Sequence, residues 1–174
     1  MLVGLNRPNP NPNPNPTPNP NPNAEPGPLL VNFNQLYKLS ATAGSLWCGT
    51  LLRAPSARLW LLRQPSDGEP HVRAELATCG IDHRRLLFAP LVTDIPEHVL
   101  RTRAAQLLLD TPEYNCHTTG SDALWASVPV LSVPGEPMAA RVGGSLLWAS
   151  STLSALVHGL REYADEAAEL VRGG

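Results

Sequence analysis

Residues 106–126, QLLLDTPEYNCHTTGSDALWA, hold the pattern that decides the fold: an apolar run, a polar loop and the start of a helix. Three successive leucines in the run 106–110 would make a strand there apolar on both faces, as in a covered parallel sheet. Four other runs have the same character, namely 29–33 (LLVNF), 58–62 (RLWLL), 86–89 (LLFA) and 129–133 (PVLSV). Segments with helical spacing lie between them, such as 69–79 and 121–126. This alternation predicts an α/β fold with a Rossmann-like parallel sheet and helices on both faces.

Two further helices are predicted on either side of this pattern. Residues 42–52 have apolar side chains at helical spacing, although Gly44 and Gly49 each cost roughly 1 kcal/mol relative to alanine. The first helix therefore needs the rest of the fold to stabilise it. The second predicted helix, residues 160–170, has Leu160, Tyr163 and Ala167 on one face and charged side chains off that face.

The N-terminal residues have a different composition. From Pro8 to Pro22 every second residue is proline, and asparagine fills most of the positions between. Proline fixes φ and donates no backbone hydrogen bond, so this stretch favours a solvated, extended spacer. We therefore expect a disordered tail over residues 1–28 and one globular lobe over residues 29–174. A Pro-rich ligand for an adaptor domain is the alternative function for the tail.

Charge and cysteine content narrow the class of protein. A formal net charge of −2 and a sequence pI of about 6.2 argue against nucleic acid and anionic membranes as partners. No apolar run reaches the length of a membrane span, and the opening residues 1–5 are too short for a signal-peptide core. The three cysteines lack a CxxC pair, which predicts reduced thiols and a cytoplasmic or nuclear protein.

Ligands of an open parallel sheet bind beyond the carboxyl ends of its strands. The loop 111–122 follows one such strand and delivers Thr118, Thr119 and Gly120 to the start of a helix. Free backbone N–H groups at a helix start form an anion site, the hydroxyls can add donors, and the glycine would let a ligand approach closely. The alternative is that Thr119 or Ser121 simply caps the helix.

Two other loops carry candidate ligand-binding side chains. Lys38 follows the first strand and could neutralise a phosphate. His98 and Arg101 follow the third strand at i, i+3 spacing and could together hold a planar group. Each of these could equally be a solvated surface residue. Cys116-His117 has no second ligand pair, so zinc is not expected, and the nucleophile-elbow, GxGxxG and P-loop motifs are missing from the sequence.

Seven short segments resemble one protein family in their order and spacing, namely 33–38 (FNQLYK), 59–63 (LWLLR), 68–70 (GEP), 110–112 (DTP), 117–120 (HTTG), 124–126 (LWA) and 134–136 (PGE). The similarity extends from about residue 31 to about residue 170 and includes Asp122 and Arg141-Val142. The family that these segments resemble is the nucleocytoplasmic protein O-GlcNAc transferases.

The resemblance implies a two-lobed GT-B glycosyltransferase that transfers GlcNAc from UDP-GlcNAc to Ser or Thr hydroxyls of proteins with inversion. The chain matches the C-terminal lobe, where the donor binds. By resemblance, Lys38 is the catalytic residue that stabilises the leaving diphosphate, and no metal or other cofactor is needed. The remaining donor-binding residues are Gln35 beside Lys38, Val92, His98 and Arg101 at the uracil, His117, Thr118 and Thr119 at the phosphates, and Asp122 at the ribose.

Some features depart from the family pattern. Residues 91–97 are one residue longer than the matching family segment and have no lysine, which affects the expected ribose contacts. The tetratricopeptide array and the first catalytic lobe have no match in this chain, so we expect donor binding without transfer from the chain alone. The alternatives are a non-catalytic UDP or UDP-sugar binding module and, more remotely, an interaction protein recruited through its tail. The residues 117–120 favour GlcNAc over fucose as the sugar.

Overall fold

The leucine-rich runs form the strands of one parallel sheet in the computed structural model, which describes residues 27–152 and 155–172. The strands are β1 (Leu29–Asn32), β2 (Arg58–Leu62), β3 (Leu86–Ala89), β4 (Leu107–Leu109) and β5 (Val130–Leu131). Their order is β3-β2-β1-β4-β5, with every neighbouring pair parallel. The sheet therefore has Rossmann-type strand order, and the order reverses direction between β1 and β4.

Within residues 27–152 and 155–172, six α-helices accompany the sheet. They are α1 (Ala41–Arg53), α2 (Gly68–Thr78), α3 (Ile95–Thr102), α4 (Thr118–Trp125), α5 (Val142–Ala149) and α6 (Leu160–Leu170). Short 3-10 turns occupy Leu36–Lys38, His83–Arg85 and Met138–Ala140. No helix in the described residues is long and apolar enough to cross a membrane. The predicted tail lies outside the described residues, apart from residues 27 and 28.

Successive side chains along each strand point to opposite faces of the sheet, so the core has two layers. Leu30, Leu107 and Leu109 pack with Trp47 of α1 and Tyr163 of α6 on one face of the sheet. Val31 and Leu108 point the other way and pack with Ala123 of α4 and Leu147 of α5. Both faces of the sheet are therefore covered by helices, which confirms the predicted α/β architecture.

The first helix forms despite its glycines. The hydroxyl of Ser40 caps α1 by accepting a hydrogen bond from the backbone N–H of Ala43 at 3.1 Å. Trp47 and Leu51 are fully buried, and α1 packs along α6. Burying side chains of this size stabilises by roughly 1.5–3 kcal/mol each, which exceeds the propensity cost of two glycines.

The cysteines differ from the prediction of three reduced thiols. Cys48 of α1 and Cys79, at the end of α2, form a disulfide with their Cα atoms 6.2 Å apart. The prediction was wrong for this pair because the packing of α1 against α2 brings residues 31 positions apart within the Cα range of disulfides. Cys116 is buried and free.

A buried carboxylate joins the carboxyl end of β4 to its surroundings. Asp110 accepts hydrogen bonds from the backbone N–H groups of Thr111 at 2.8 Å and Cys116 at 2.5 Å, and from the hydroxyl of Ser132 at 2.6 Å. The hydroxyl of Tyr163 donates to the Asp110 carbonyl oxygen at 2.7 Å. Burial raises the pKa of this carboxyl to about 6, although the hydrogen bonds act in the opposite direction. These contacts link β4, its following loop, β5 and α6.

Two adjacent glycines of α5 allow a test of the packing around this carboxylate. A Cβ atom at Gly143 would overlap the Asp110 Oδ2 and Ser132 Oγ atoms, whereas one at Gly144 would meet the Pro134 Cβ atom at 3.3 Å. Alanine raises helix propensity by about 1 kcal/mol at either position, but overpacking costs roughly 1–3 kcal/mol or more. We expect Gly143→Ala to lower the free energy of unfolding in urea by about 1–2 kcal/mol, and Gly144→Ala to change it by less than about 1 kcal/mol. Equal effects of the two substitutions would contradict this packing.

The raised pKa of Asp110 predicts how stability depends on pH. Because its pKa in the folded state, about 6, exceeds its ordinary value of 3.8, the folded protein binds this proton more tightly than the unfolded chain does. The stabilisation that this proton gives the folded protein is complete below about pH 4 and is lost as the pH rises through about 6. The free energy of unfolding falls by about 3 kcal/mol over this range. Relative to Asp110→Asn, the wild type should lose stability between pH 4 and pH 6. Urea unfolding measures the difference, with the exposed Asp67→Asn as control, and a difference independent of pH would contradict the assignment.

Candidate functional site

Three loops that follow strand carboxyl ends carry the predicted site residues. The turn Leu36–Lys38 follows β1, the segment before α3 follows β3, and the loop from Asp110 to His117 follows β4. Because β3, β1 and β4 are parallel strands of one sheet, with β2 between β3 and β1, their loops lie along the same edge. The reversal of strand order between β1 and β4 lies at this edge, which is where ligands of such sheets bind.

The start of α4 provides unpaired backbone donors. The helix begins at Thr118, and among the described residues no side chain caps this end. The Thr119 hydroxyl donates to the side-chain oxygen of Asn34 at 3.0 Å, and the Ser121 hydroxyl faces the His117 carbonyl oxygen at 3.5 Å. The capping alternative is therefore wrong for both residues. In this first turn the Gly120 N–H already donates to the His117 carbonyl oxygen at 3.1 Å, whereas the N–H groups of Thr118 and Thr119 have no intrahelical partner and are available to an anion.

Gly120 has a different role from the predicted one. It is buried, and a Cβ atom there would lie 2.6 Å from the Cys116 Sγ atom and 2.9 Å from the Leu146 Cδ1 atom. The expectation that this glycine admits a ligand to the backbone was wrong, because the space beside it is occupied by Cys116 and by Leu146 of α5. Gly120 instead allows the start of α4 to pack closely against the loop and α5.

Lys38 and His117 are brought together around one aromatic ring. The Lys38 Nζ atom lies 4.2 Å from the centre of the Tyr114 ring, and the His117 ring stacks on Tyr114 with 4.7 Å between centroids. The His117 Nε2 atom also faces the Ala139 carbonyl oxygen at 3.3 Å. Gln35 precedes this turn, and its side-chain oxygen accepts a hydrogen bond from the Tyr37 hydroxyl. The loops after β1 and β4 thus each place one of these side chains on the Tyr114 ring.

The third loop brings His98 and Arg101 together. The Arg101 Nη2 atom lies 3.0 Å from His98 Nδ1, and Nη1 donates to the Pro90 carbonyl oxygen at 2.8 Å. The Arg101 guanidinium covers the Phe33 ring at 4.4 Å, and the His98 ring lies 5.4 Å from the same ring. Both side chains are half-buried, so they form a packed cluster and not a solvated polar face. Val92 is also half-buried, in the segment that connects β3 to α3.

The electrostatics of this cluster favour a neutral imidazole. Burial lowers the pKa of His98, and the charge of Arg101 lowers it further, while Asp122 acts in the opposite direction. The His98 Nε2 and Asp122 Oδ2 atoms are 3.7 Å apart, beyond a hydrogen bond. With Nδ1 facing the Arg101 donor, Nε2 carries the proton. The Arg101 and His98 side chains therefore present donors and a flat ring next to the Asp122 carboxylate.

Two buried asparagines join the loops after β1 and β4, and they were not identified from the sequence. The Asn32 side chain donates to the Leu109 carbonyl oxygen at 2.7 Å, and its oxygen accepts from the Asn34 backbone N–H at 2.9 Å. The Asn34 side chain donates to the Thr111 hydroxyl at 3.2 Å and accepts from Thr119. The sequence does carry a signal for them: they are polar residues at the end of an otherwise apolar strand, where a buried polar group requires hydrogen-bond partners. They fix the distance between the turn that carries Lys38 and the start of α4.

The described residues contain no group of three or more His, Cys, Asp or Glu side chains that could hold a metal ion. The positive groups of this edge include Lys38, Arg101 and the start of α4, which together suit an anionic ligand attached to a flat ring, whereas Arg63 after β2 is paired with Glu69. Thr118 is exposed and Thr119 half-buried on the first turn of α4.

Comparison with known proteins identifies relatives with closely similar sequences. A probable UDP-N-acetylglucosamine–peptide N-acetylglucosaminyltransferase, SEC, of Arabidopsis thaliana is 42% identical over 139 residues, which cover 79% of this chain and 14% of that protein. A UDP-N-acetylglucosamine–peptide N-acetylglucosaminyltransferase of Caenorhabditis elegans is 39% identical over 139 residues, which cover 80% of this chain and 12% of that protein. The chain thus spans about one seventh or less of these relatives.

A solved structure has the same fold. A mutant of the O-GlcNAc transferase of Thermobaculum terrenum matches with a TM-score of 0.79 and 28% identity, over 86% of this chain and 29% of that one. This match agrees with the lobe of a GT-B glycosyltransferase predicted from the sequence. The family model for glycosyl transferase family 41 matches residues 25–172, which include every strand and helix described above. This chain therefore belongs to glycosyl transferase family 41.

Proposed function

We propose that this chain is the UDP-GlcNAc-binding lobe of a protein O-GlcNAc transferase. The observation that carries the proposal is the arrangement at the β1–β4 edge, where the uncapped start of α4 lies beside the Lys38 turn and the His98–Arg101 cluster. A nucleoside diphosphate has the matching chemistry, with negative phosphates at one end and a flat base at the other. The names of the relatives in Arabidopsis and Caenorhabditis support the choice of UDP-GlcNAc.

In the proposed complex the diphosphate lies at the start of α4. The backbone N–H groups of Thr118 and Thr119, with the Thr118 hydroxyl, donate to phosphate oxygens, while the Thr119 hydroxyl keeps its hydrogen bond to Asn34. The His117 imidazole lies beside the phosphates. Lys38 and Gln35 approach from the loop after β1. As the sugar leaves, negative charge develops on the β-phosphate, and the Lys38 ammonium together with the helix dipole stabilises it. No metal ion is needed in this scheme.

The uridine end extends toward the third loop. The neutral His98 ring offers a flat surface, and Arg101 offers donors already held by the Pro90 carbonyl oxygen and the Phe33 ring. Asp122 lies next to His98, and in the proposed complex its carboxylate accepts hydrogen bonds from ribose hydroxyls. Val92 contributes a backbone contact to the base. The nucleotide therefore spans from α4 to α3 across the end of β1.

From the family resemblance, and not from the cysteines, we further propose that the complete protein transfers GlcNAc to Ser or Thr hydroxyls of acceptor proteins in the cytoplasm or nucleus. Transfer requires an acceptor hydroxyl positioned against the sugar as well as a stabilised leaving group. The residues described here provide the leaving-group side of the reaction. The acceptor side belongs to a second lobe, which the family resemblance implies.

Binding of UDP is the first test. We expect titration calorimetry of the folded chain, in buffer that contains EDTA, to show a 1:1 interaction with a Kd of roughly 1 mM or tighter. EDTA removes divalent ions, so binding under this condition reflects the protein's own positive groups. The absence of both heat and a thermal shift at millimolar UDP, on protein shown to be folded by circular dichroism, would contradict the proposal.

Two substitutions separate the ends of the nucleotide. Lys38→Ala should weaken UDP about ten- to a hundredfold and leave uridine unchanged, since loss of a charge-assisted hydrogen bond costs roughly 1.5–3 kcal/mol. Arg101→Ala should weaken both ligands, because they share the base. Arg161→Ala, at an exposed position of α6, is the matched control and should alter neither. If Lys38→Ala weakened uridine as much as UDP, the diphosphate assignment would be wrong.

A further inference from the structure

The Tyr114 ring is the common neighbour of two side chains from different loops. The Lys38 ammonium, from the loop after β1, lies 4.2 Å from the ring centre. The His117 imidazole, from the loop after β4, stacks on the same ring at an interplanar angle of 17°. An ammonium at this distance from an aromatic ring is attracted by its quadrupole. Tyr114 therefore connects the only lysine of the sequence to the residue that precedes α4.

The backbone around this ring is held in place. The Thr111 hydroxyl donates to the Tyr114 carbonyl oxygen at 2.5 Å. The neighbouring Glu113 carboxylate accepts from the Ser40 hydroxyl at 2.5 Å, at the residue that caps α1. Asn115, on the other side, donates to the Thr111 carbonyl oxygen at 2.7 Å and accepts from the Gly143 N–H at 3.1 Å. The ring is thus carried by a loop fixed on both sides, whereas the lysine it contacts has a long and flexible side chain.

We propose that Tyr114 is a positioning residue for diphosphate recognition: its ring holds the Lys38 ammonium beside the start of α4 before the ligand arrives. This inference rests on the proposed function, since it concerns the same anion site. A free lysine side chain loses rotamer freedom when it binds a phosphate. A lysine already confined by an aromatic ring loses less, so the ring increases affinity by preorganisation.

The proposal makes specific demands on substitutions at Tyr114. Tyr114→Leu removes the ring and should weaken UDP by about three- to tenfold, the size of a cation–π contact in a partly exposed site, while uridine binding stays unchanged. Tyr114→Phe keeps the ring and removes only the hydroxyl, so it should bind UDP like the wild type. In a Lys38→Ala background, Tyr114→Leu should change UDP affinity by less than about twofold, because the ammonium that the ring positions is gone. A loss of UDP affinity that persisted in this background would assign the effect to the His117 stack and would contradict the proposal.

The single lysine allows a direct measurement of the contact. Reductive methylation with ¹³C-formaldehyde keeps the positive charge and labels only Lys38 and the N-terminal amine. The Lys38 methyl signal in NMR spectra should lie upfield in the wild type and in Tyr114→Phe, because of the ring current, and should move to the position of a free lysine in Tyr114→Leu. Addition of UDP should shift this signal in the wild type.

Each outcome of these experiments is decisive. Upfield methyl signals together with a selective loss of UDP affinity in Tyr114→Leu support the proposal. Unchanged or tighter UDP binding in a folded Tyr114→Leu protein would overturn it, the latter showing that the ring withholds Lys38 from the phosphate. Equal losses for UDP and uridine would also overturn it, because they indicate a general structural role. Failure of the wild type to bind UDP would instead reject the proposed function itself, while the methyl signal would still report whether ring and lysine are in contact.

Discussion

The buried carboxylate of Asp110 is the interaction on which the rest of the site depends. It follows β4 inside the protein, and its hydrogen bonds from Thr111 and Cys116 fix the loop that leads to the start of α4, while the Ser132 hydroxyl ties it to the end of β5. A buried carboxylate is costly unless it is hydrogen-bonded, so these partners cannot be lost singly without a large penalty. The Tyr163 hydroxyl of α6 donates a hydrogen bond to the Asp110 carbonyl oxygen. This fourth contact comes from the core layer in which α1 and α6 pack on the sheet. The position of the anion site is therefore determined from within the core.

The second constraint is the pair of buried asparagines at the end of β1. The Asn34 backbone N–H donates to the Asn32 side chain. The two side chains also form hydrogen bonds with Leu109, Thr111 and Thr119, all on the β4 side. The strand order reverses at this point, so helices leave the sheet in opposite directions and a crevice remains at the edge. The polar network spans that crevice below the surface. Above this network, Lys38 of the β1 loop and His117 of the β4 loop both contact the ring of Tyr114, which also belongs to the β4 loop.

Much of the fold could be predicted because local signals agreed with the tertiary structure. The runs at 29–33, 58–62 and 86–89 became β1, β2 and β3 within one residue at either end, since continuous apolar runs suit strands buried on both faces. The prediction was less accurate for the start of α4. The predicted segment 121–126 begins three residues after Thr118, because no capping side chain marks this helix start. The disulfide, the buried asparagines and the packing role of Gly120 were missed or misassigned. Each depends on contacts between residues distant in sequence, such as Cys48 with Cys79 or Gly120 with Leu146.

The central claim is that three loops at one edge of the sheet form a single nucleotide site. Amide chemical-shift mapping of the ¹⁵N-labelled chain during titration with UDP tests this most directly, because it locates binding without assuming any residue's role. The account predicts that the largest shifts fall in three separate segments, residues 34–38, 92–101 and 117–122, with the same dependence on UDP concentration. Shifts confined to the α1–α2 side of the sheet, or different binding curves for the three segments, would contradict a single site at the β1–β4 edge.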